Sequence, residues 1–163
     1  SAIKYYKHSV LSTCLTDIRI NSAAMRAYTE ASNIVLSDLK IIDSRGMERD
    51  KYDIGESLII KIEYEAFKKF NSIAFGCSLF NSKFVEVCRI STWPISGSSL
   101  TLNTGNGVIS LILENLMISG GEYSLTVYCS LPNKEILWRI EDAARMTIIP
   151  SDGYGSGFVV EDW

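Results

Sequence analysis

From residue 33 onward the chain alternates apolar and polar positions with a period of two, the spacing that places successive side chains on opposite faces of a β-strand. In the run 57–65, Leu58, Ile60, Ile62 and Tyr64 fall on one face and Lys61, Glu63 and Glu65 on the other. Ile73, Phe75, Cys77 and Leu79 share a face over 73–80, and Tyr123, Leu125, Val127 and Cys129 do so over 123–130, with Ser124, Thr126, Tyr128 and Ser130 facing away. Further strands are predicted over 34–43, 84–92, 108–113, 136–140, 144–149 and 158–163. Turn residues separate them: Asp43-Ser44-Arg45-Gly46, Asp53-Ile54-Gly55-Glu56, Asn81-Ser82-Lys83 as a hairpin connection, Gly120-Gly121, Leu131-Pro132-Asn133-Lys134, and a glycine-rich turn over 151–157. The stretch 94–107, rich in Gly, Ser and Asn, reads as a long loop. Eight or nine short strands without a convincing helix predict an all-β fold, an antiparallel sandwich of jelly-roll or immunoglobulin-like type.

Residues 1–31 break this pattern. They contain neither Gly nor Pro, and Val10, Cys14, Ile18 and Met25 give only an interrupted helical spacing. They read as a linker that is disordered or forms a short helix near 22–30. The chain opens on Ser1 rather than Met, which suggests a fragment of a longer protein.

Composition narrows the function. Of 163 residues, 47% are hydrophobic, enough for a substantial core, and the net charge of −3 argues against a basic surface for nucleic acid. No apolar run approaches the ~20 residues of a transmembrane helix. The four cysteines, Cys14, Cys77, Cys88 and Cys129, form no C-x-x-C pair, and His8 is the sole histidine, so no zinc ligand set exists and no metal is expected. Cys77, Cys88 and Cys129 lie in apolar runs and read as small buried hydrophobes in a reducing compartment; a disulfide between neighbouring strands is the alternative. No phosphate-binding loop, dinucleotide fingerprint or nucleophile elbow occurs, so neither a cofactor nor a catalytic triad is expected. Two carboxylate pairs, Glu63 with Glu65 and Glu141 with Asp142, meet the bare requirement for glycoside hydrolysis. Both read as solvated positions.

The remaining chemistry is a set of polar and aromatic side chains on strand faces turned from the core. Ser78, Arg89, Ser91, Trp93, Tyr128, Ser130 and Trp138 are the candidate ligand-binding residues. Aromatic rings cover the apolar C–H faces of sugars while Arg and Ser satisfy hydroxyls, so this mixture suits a carbohydrate. Gly76, in the middle of a strand, would let a ligand approach the backbone.

An ordered series of motifs supports that reading. Tyr52-Asp53-Ile54-Gly55-Glu56-Ser57-Leu58-Ile59-Ile60 is followed by Gly121-Glu122-Tyr123-Ser124-Leu125-Thr126-Val127, by Asp142-Ala143-Ala144-Arg145, and by Gly153-Tyr154-Gly155-Ser156-Gly157-Phe158 before the terminal Trp163. Over residues 32–163 the chain resembles the C-terminal carbohydrate-binding domain of the ATP-binding subunit of bacterial O-antigen polysaccharide ABC transporters. The resemblance implies a β-sandwich over 32–163 behind a linker, 1–31, from an upstream ATPase domain. It implies a non-catalytic module that recognises the non-reducing, often capped, end of a lipid-linked polysaccharide and licenses its export. It further implies a homodimer, a membrane transporter partner reached through the ATPase domain, and a cytoplasmic location peripheral to the inner membrane; from the charge balance no nucleic-acid partner is expected. A protein-interaction sandwich that offers an edge strand to a partner is the alternative, and glycoside hydrolysis a more distant one.

Overall fold

The structure, a computed structural model, describes residues 26, 29–93 and 100–150. After a single 3-10 turn at Glu30–Ser32, nine strands follow: β1 (Ile34–Asp43), β2 (Lys51–Asp53), β3 (Leu58–Ala66), β4 (Phe70–Phe80), β5 (Glu86–Ser91), β6 (Leu100–Leu102), β7 (Gly105–Leu113), β8 (Gly121–Leu131) and β9 (Glu135–Ile149). They build two sheets, a three-stranded one in the order β1-β3-β7 and a larger one in the order β2-β9-β8-β4-β5, with β6 also paired to β4. The all-β sandwich expected from the alternating pattern is the observed architecture.

The period of two decides which faces meet. On β3, Leu58, Ile60, Ile62 and Tyr64 are buried while the residues between them are half-exposed. On β4, Ile73, Phe75, Cys77 and Leu79 supply the facing layer, and on β8 Tyr123, Leu125, Val127 and Cys129 continue it. Tyr64 stacks on Phe75 at 5.4 Å between ring centroids, and Phe75 meets Trp138 edge-on at 6.3 Å. Trp138 Nε1 donates to the Ile34 carbonyl at 3.1 Å, a bond from the larger sheet to the smaller one. Burial of these apolar faces is the main stabilising term, at about 25 cal/mol per Å² removed from water. Cys77 and Cys129 are buried and Cys88 half-buried, all three as free thiols. Burial pushes the Cys77 thiol up to about 12 and raises Cys129 as well, so these are inert core side chains.

The structure departs from the sequence reading in four places. The two strands expected at 136–140 and 144–149 are one, β9, interrupted by a bulge. Ile140 pairs with Val127 and Ala144 with Leu125, which leaves Glu141, Asp142 and Ala143 opposite Thr126 alone. The charged pair that reads as a break is thus accommodated inside the strand, with Asp142 at φ 54°. Glu141 and Asp142 are accordingly buried, at 2% and 6% exposure, and not solvated. The stretch read as a long loop contains β6 and the start of β7, because Gly107 serves packing and not a turn: a Cβ there would lie 2.2 Å from the Tyr64 hydroxyl. The sandwich is also not wholly antiparallel, since the short strand β2 runs parallel to the end of β9. The residues expected to form a closing turn and strand at 151–163, and most of the helix expected near 22–30, lie outside the described residues.

Candidate functional site

Strand pairing arranges the polar faces of β5, β4, β8 and β9 into rows across the outer surface of the larger sheet. One row reads Ser91–Gly76–Tyr128–Arg139. The next reads Arg89–Ser78–Thr126, with Glu141 beyond it in the bulge, and a third reads Phe80–Ser124–Arg145. Five of the seven residues singled out in the sequence, Ser78, Arg89, Ser91, Tyr128 and Ser130, therefore share one face although they come from three strands. Trp93 follows β5 at the end of this face, half-buried, and its backbone N–H donates to Ser91 Oγ at 3.0 Å, while Ser91 Oγ donates in turn to the Trp93 carbonyl.

Trp138 does not belong to the set. It sits in register with Cys129, whose side chain points inward, and is 3% exposed in the core between the sheets. Its neighbour Arg139 has the opposite orientation, since of two consecutive strand residues one faces in and the other out. Arg139, opposite Tyr128, holds the outward position.

Gly76 has a role other than the one the sequence suggested. A Cβ at this position would lie 2.3 Å from both Cζ and the hydroxyl oxygen of Tyr128. The close approach to the backbone is made by the protein's own phenol, which lies across the strand. The missing Cβ lets an aromatic ring lie low against the sheet, an orientation that offers an apolar platform to a sugar.

Each arginine of this face is paired with a carboxylate. Arg89 donates to Glu86 at 2.9 Å, Arg139 Nε to Glu141 at 3.3 Å, and Arg145 holds Asp142 through two bonds of 2.9 and 2.6 Å. The Glu86 hydrogen bond, and more weakly the field of the Tyr128 hydroxyl, raise the Arg89 guanidinium above its usual value; the Asp142 hydrogen bond does the same for Arg145. Two polar atoms in the floor lack partners: Ser78 Oγ and Glu141 Oε2 are the buried side-chain oxygens without a hydrogen bond among the described residues. An orphaned buried polar group costs about 1–3 kcal/mol and calls for a ligand or water. Of the other residues here, Glu141 and Asp142 read from the sequence as a solvated carboxylate pair, and Arg145 only as part of the D-A-A-R motif. That motif begins in the bulge, whose geometry period-two counting does not resolve.

The other carboxylate pair lies on a different surface, the outer face of the smaller sheet. There Glu65 pairs with Arg26 at 2.5 Å, and Glu63 lies 3.9 Å from both Lys40 and Lys61. No grouping of three or more His, Cys, Asp or Glu side chains suited to a metal occurs among the described residues, nor does any helix there have the length and apolar character to cross a membrane.

A family model for the Wzt C-terminal domain matches residues 29–159. The chain belongs to the Wzt C-terminal domain family. The Wzt C-terminal domain family is one of non-catalytic binding domains, implicated in carbohydrate binding for O-antigen export by an ABC transporter. The crystal structure of the C-terminal domain of Wzt superposes with a TM-score of 0.67 at 13% identity, over 79% of this chain and 80% of that one. The alkylpurine DNA glycosylase AlkC of Pseudomonas fluorescens (TM-score 0.46, 12% identity, 80% of this chain and 36% of that one) and a family 2 β-glucuronidase (TM-score 0.46, 8% identity, 71% and 12%) are also similar. At those scores neither bears on fold or function. No curated protein matches the chain.

Proposed function

We propose that the outer face of the larger sheet binds the non-reducing end of a lipid-linked O-antigen polysaccharide, capped or uncapped, without chemical conversion. The observation that carries the reading is the Tyr128 ring laid across Gly76 with Arg89 and Arg139 on the strands to either side. Such a platform covers the C–H face of a pyranose while the guanidinium N–H groups donate to its hydroxyls. Because Arg89, Arg139 and Arg145 are each matched by a carboxylate, the face is close to electrically neutral. That favours a hydroxyl-rich chain over a polyanion, and a saccharide over nucleic acid.

In this reading the domain, residues 32–163, acts on the cytoplasmic side of the inner membrane as part of a transporter. Residues 1–31 connect it to an ATPase domain, and two copies work as a pair. Affinity of one domain for one chain end is on the order of micromolar to millimolar, as a small polar contact dictates, and pairing raises it through avidity. The test is titration of the protein with the O-antigen polysaccharide of its source bacterium, capped and uncapped, against Tyr128→Ala. The expected result is saturable binding that weakens by about tenfold or more in the variant. Silence toward both polysaccharides, or binding indifferent to Tyr128, overturns the reading.

A further inference from the structure

The third row of the same face ends in a cleft of about 200 Å³ lined by Asn81, Phe84, Glu122, Ser124, Asp142 and Arg145. Two of these residues hold left-handed backbone: Asp142 in the β9 bulge, at φ 54°, and Phe84 after the β4–β5 turn, at φ 60°. Asn and Asp tolerate this conformation, and the other non-glycine residues that adopt it among the described residues, Asn33, Asn115 and Asn133, are all Asn. Phe84 is the exception. The turn it closes is otherwise well formed: Asn81 Oδ1 accepts from the backbone N–H groups of Lys83 and Val85 at 2.9 and 3.0 Å, and the Phe84 N–H donates to the Asn81 carbonyl at 3.0 Å. Glycine is the residue such a position favours in a hairpin. A large aromatic, 40% exposed, stands there instead. Strain held at one residue, beside a cleft, points to function more than to folding.

The polar part of the cleft is built to match. Arg145 grips Asp142 through Nε and one terminal nitrogen, which fixes the plane of both groups and leaves the other terminal nitrogen free to donate. The Arg145 side chain is 71% exposed and that of Asp142 only 2%, so the guanidinium is presented to solvent on a buried anchor. A fixed donor plane beside a carboxylate is complementary to neighbouring hydroxyls of a sugar ring, and Phe84 offers a surface for its C–H face.

We infer that this cleft is a second saccharide subsite, so that the domain grips an internal stretch of the glycan as well as its terminus. The inference rests on the reading above, which places the chain end at Tyr128. Ser124, in this row, and Tyr128 are four residues apart on β8, about 13 Å along the strand, a span that about three linked sugar rings cover. The two subsites therefore measure a short segment of chain and favour an oligosaccharide over a single terminal residue.

The experiment uses the full chain and oligosaccharides released from the source bacterium's O-antigen, graded from monosaccharide to pentasaccharide and titrated by NMR, with the melting temperature recorded for each variant. In Phe84→Gly the expected result is a melting temperature equal to or above that of the parent, with about tenfold weaker binding of trisaccharide and longer chains and unchanged binding of the monosaccharide. Arg145→Ala is expected to repeat the length-dependent loss, whereas Tyr128→Ala weakens every length. Undiminished trisaccharide binding in both Phe84→Gly and Arg145→Ala, with Tyr128→Ala still impaired, overturns the second subsite and leaves the first standing. A fall in melting temperature in Phe84→Gly also overturns it, by making the strained ring a structural element. Indifference of all lengths to Tyr128→Ala defeats the underlying reading itself.

Discussion

Single positions separate what holds this domain together from what it presents. Trp138 is a structural residue, packed on Phe75 and hydrogen-bonded to the Ile34 carbonyl. Trp138→Ala is expected to cost about 3–5 kcal/mol in denaturant unfolding, the range for deleting a buried aromatic side chain. Gly76 is the opposite case. Because a Cβ there meets only the far end of the Tyr128 side chain, Gly76→Ala is expected to swing the ring away at a cost of about 1 kcal/mol or less. Saccharide binding should fall in that variant as far as in Tyr128→Ala, with little change in unfolding midpoint. The sequence made much of this legible: the outward Ser78, Arg89, Ser91, Tyr128 and Ser130 could be found by counting in twos. Trp138 could not be separated from Arg139 by residue type, since an aromatic beside an arginine suits a sugar site and a core edge equally well.

Individual elements show where the counting fails and why. Strands of one register, such as β3 and β8, are readable because every second residue is buried against the other sheet. β9 is not, because its bulge shifts the phase in mid-strand, and β7 is not, because it opens on Gly105-Asn106-Gly107, of which Gly107 makes room for the Tyr64 ring. The corner from β1 to β3 carries a further test. Asp43 accepts from the backbone N–H groups of Met47 and Arg45 and from Arg49, which also pairs with Glu56. The Met47 hydrogen bond leads in holding the Asp43 carboxyl below its ordinary value, against the opposing effect of burial; Glu56, which burial pushes up, is held down on balance by the Asp53 backbone and by Arg49. A carboxylate depressed in the folded state contributes stability that is complete above its ordinary value of 3.8 and lost as the pH falls through the lower folded value. Thermal unfolding should therefore drop steeply below about pH 4, and Asp43→Asn should be less stable at neutral pH with a flatter acid limb. Tyr52, which burial raises to about 12, works on the alkaline side in the reverse sense, with stability falling as the pH climbs past 10.

The molecule as a whole has two outer faces of different character. The smaller sheet carries an outer row of half-buried Ile42 and Ile59 and exposed Ile112, with a set of lysines and glutamates, whereas the larger sheet presents the arginine–carboxylate pairs beside Tyr128. Binding on the larger face predicts that Ile112→Lys leaves saccharide affinity unchanged. Its matched charges predict that raising salt from low to physiological strength shifts that affinity by less than about twofold, in contrast to the steep dependence of a phosphate-neutralising surface. Nuclear magnetic resonance titration at two ionic strengths checks both. The bulge in β9 then has a consequence for how such domains diversify. Removing one residue from it would turn half the strand over, carrying Arg145 into the oily interior and Met146 into water. Descendants that come to recognise new glycans are thus free to exchange side chains along this ribbon but not to change its length, so a novel preference should arise by point replacement here, with gain and loss of residues confined to the connections between strands.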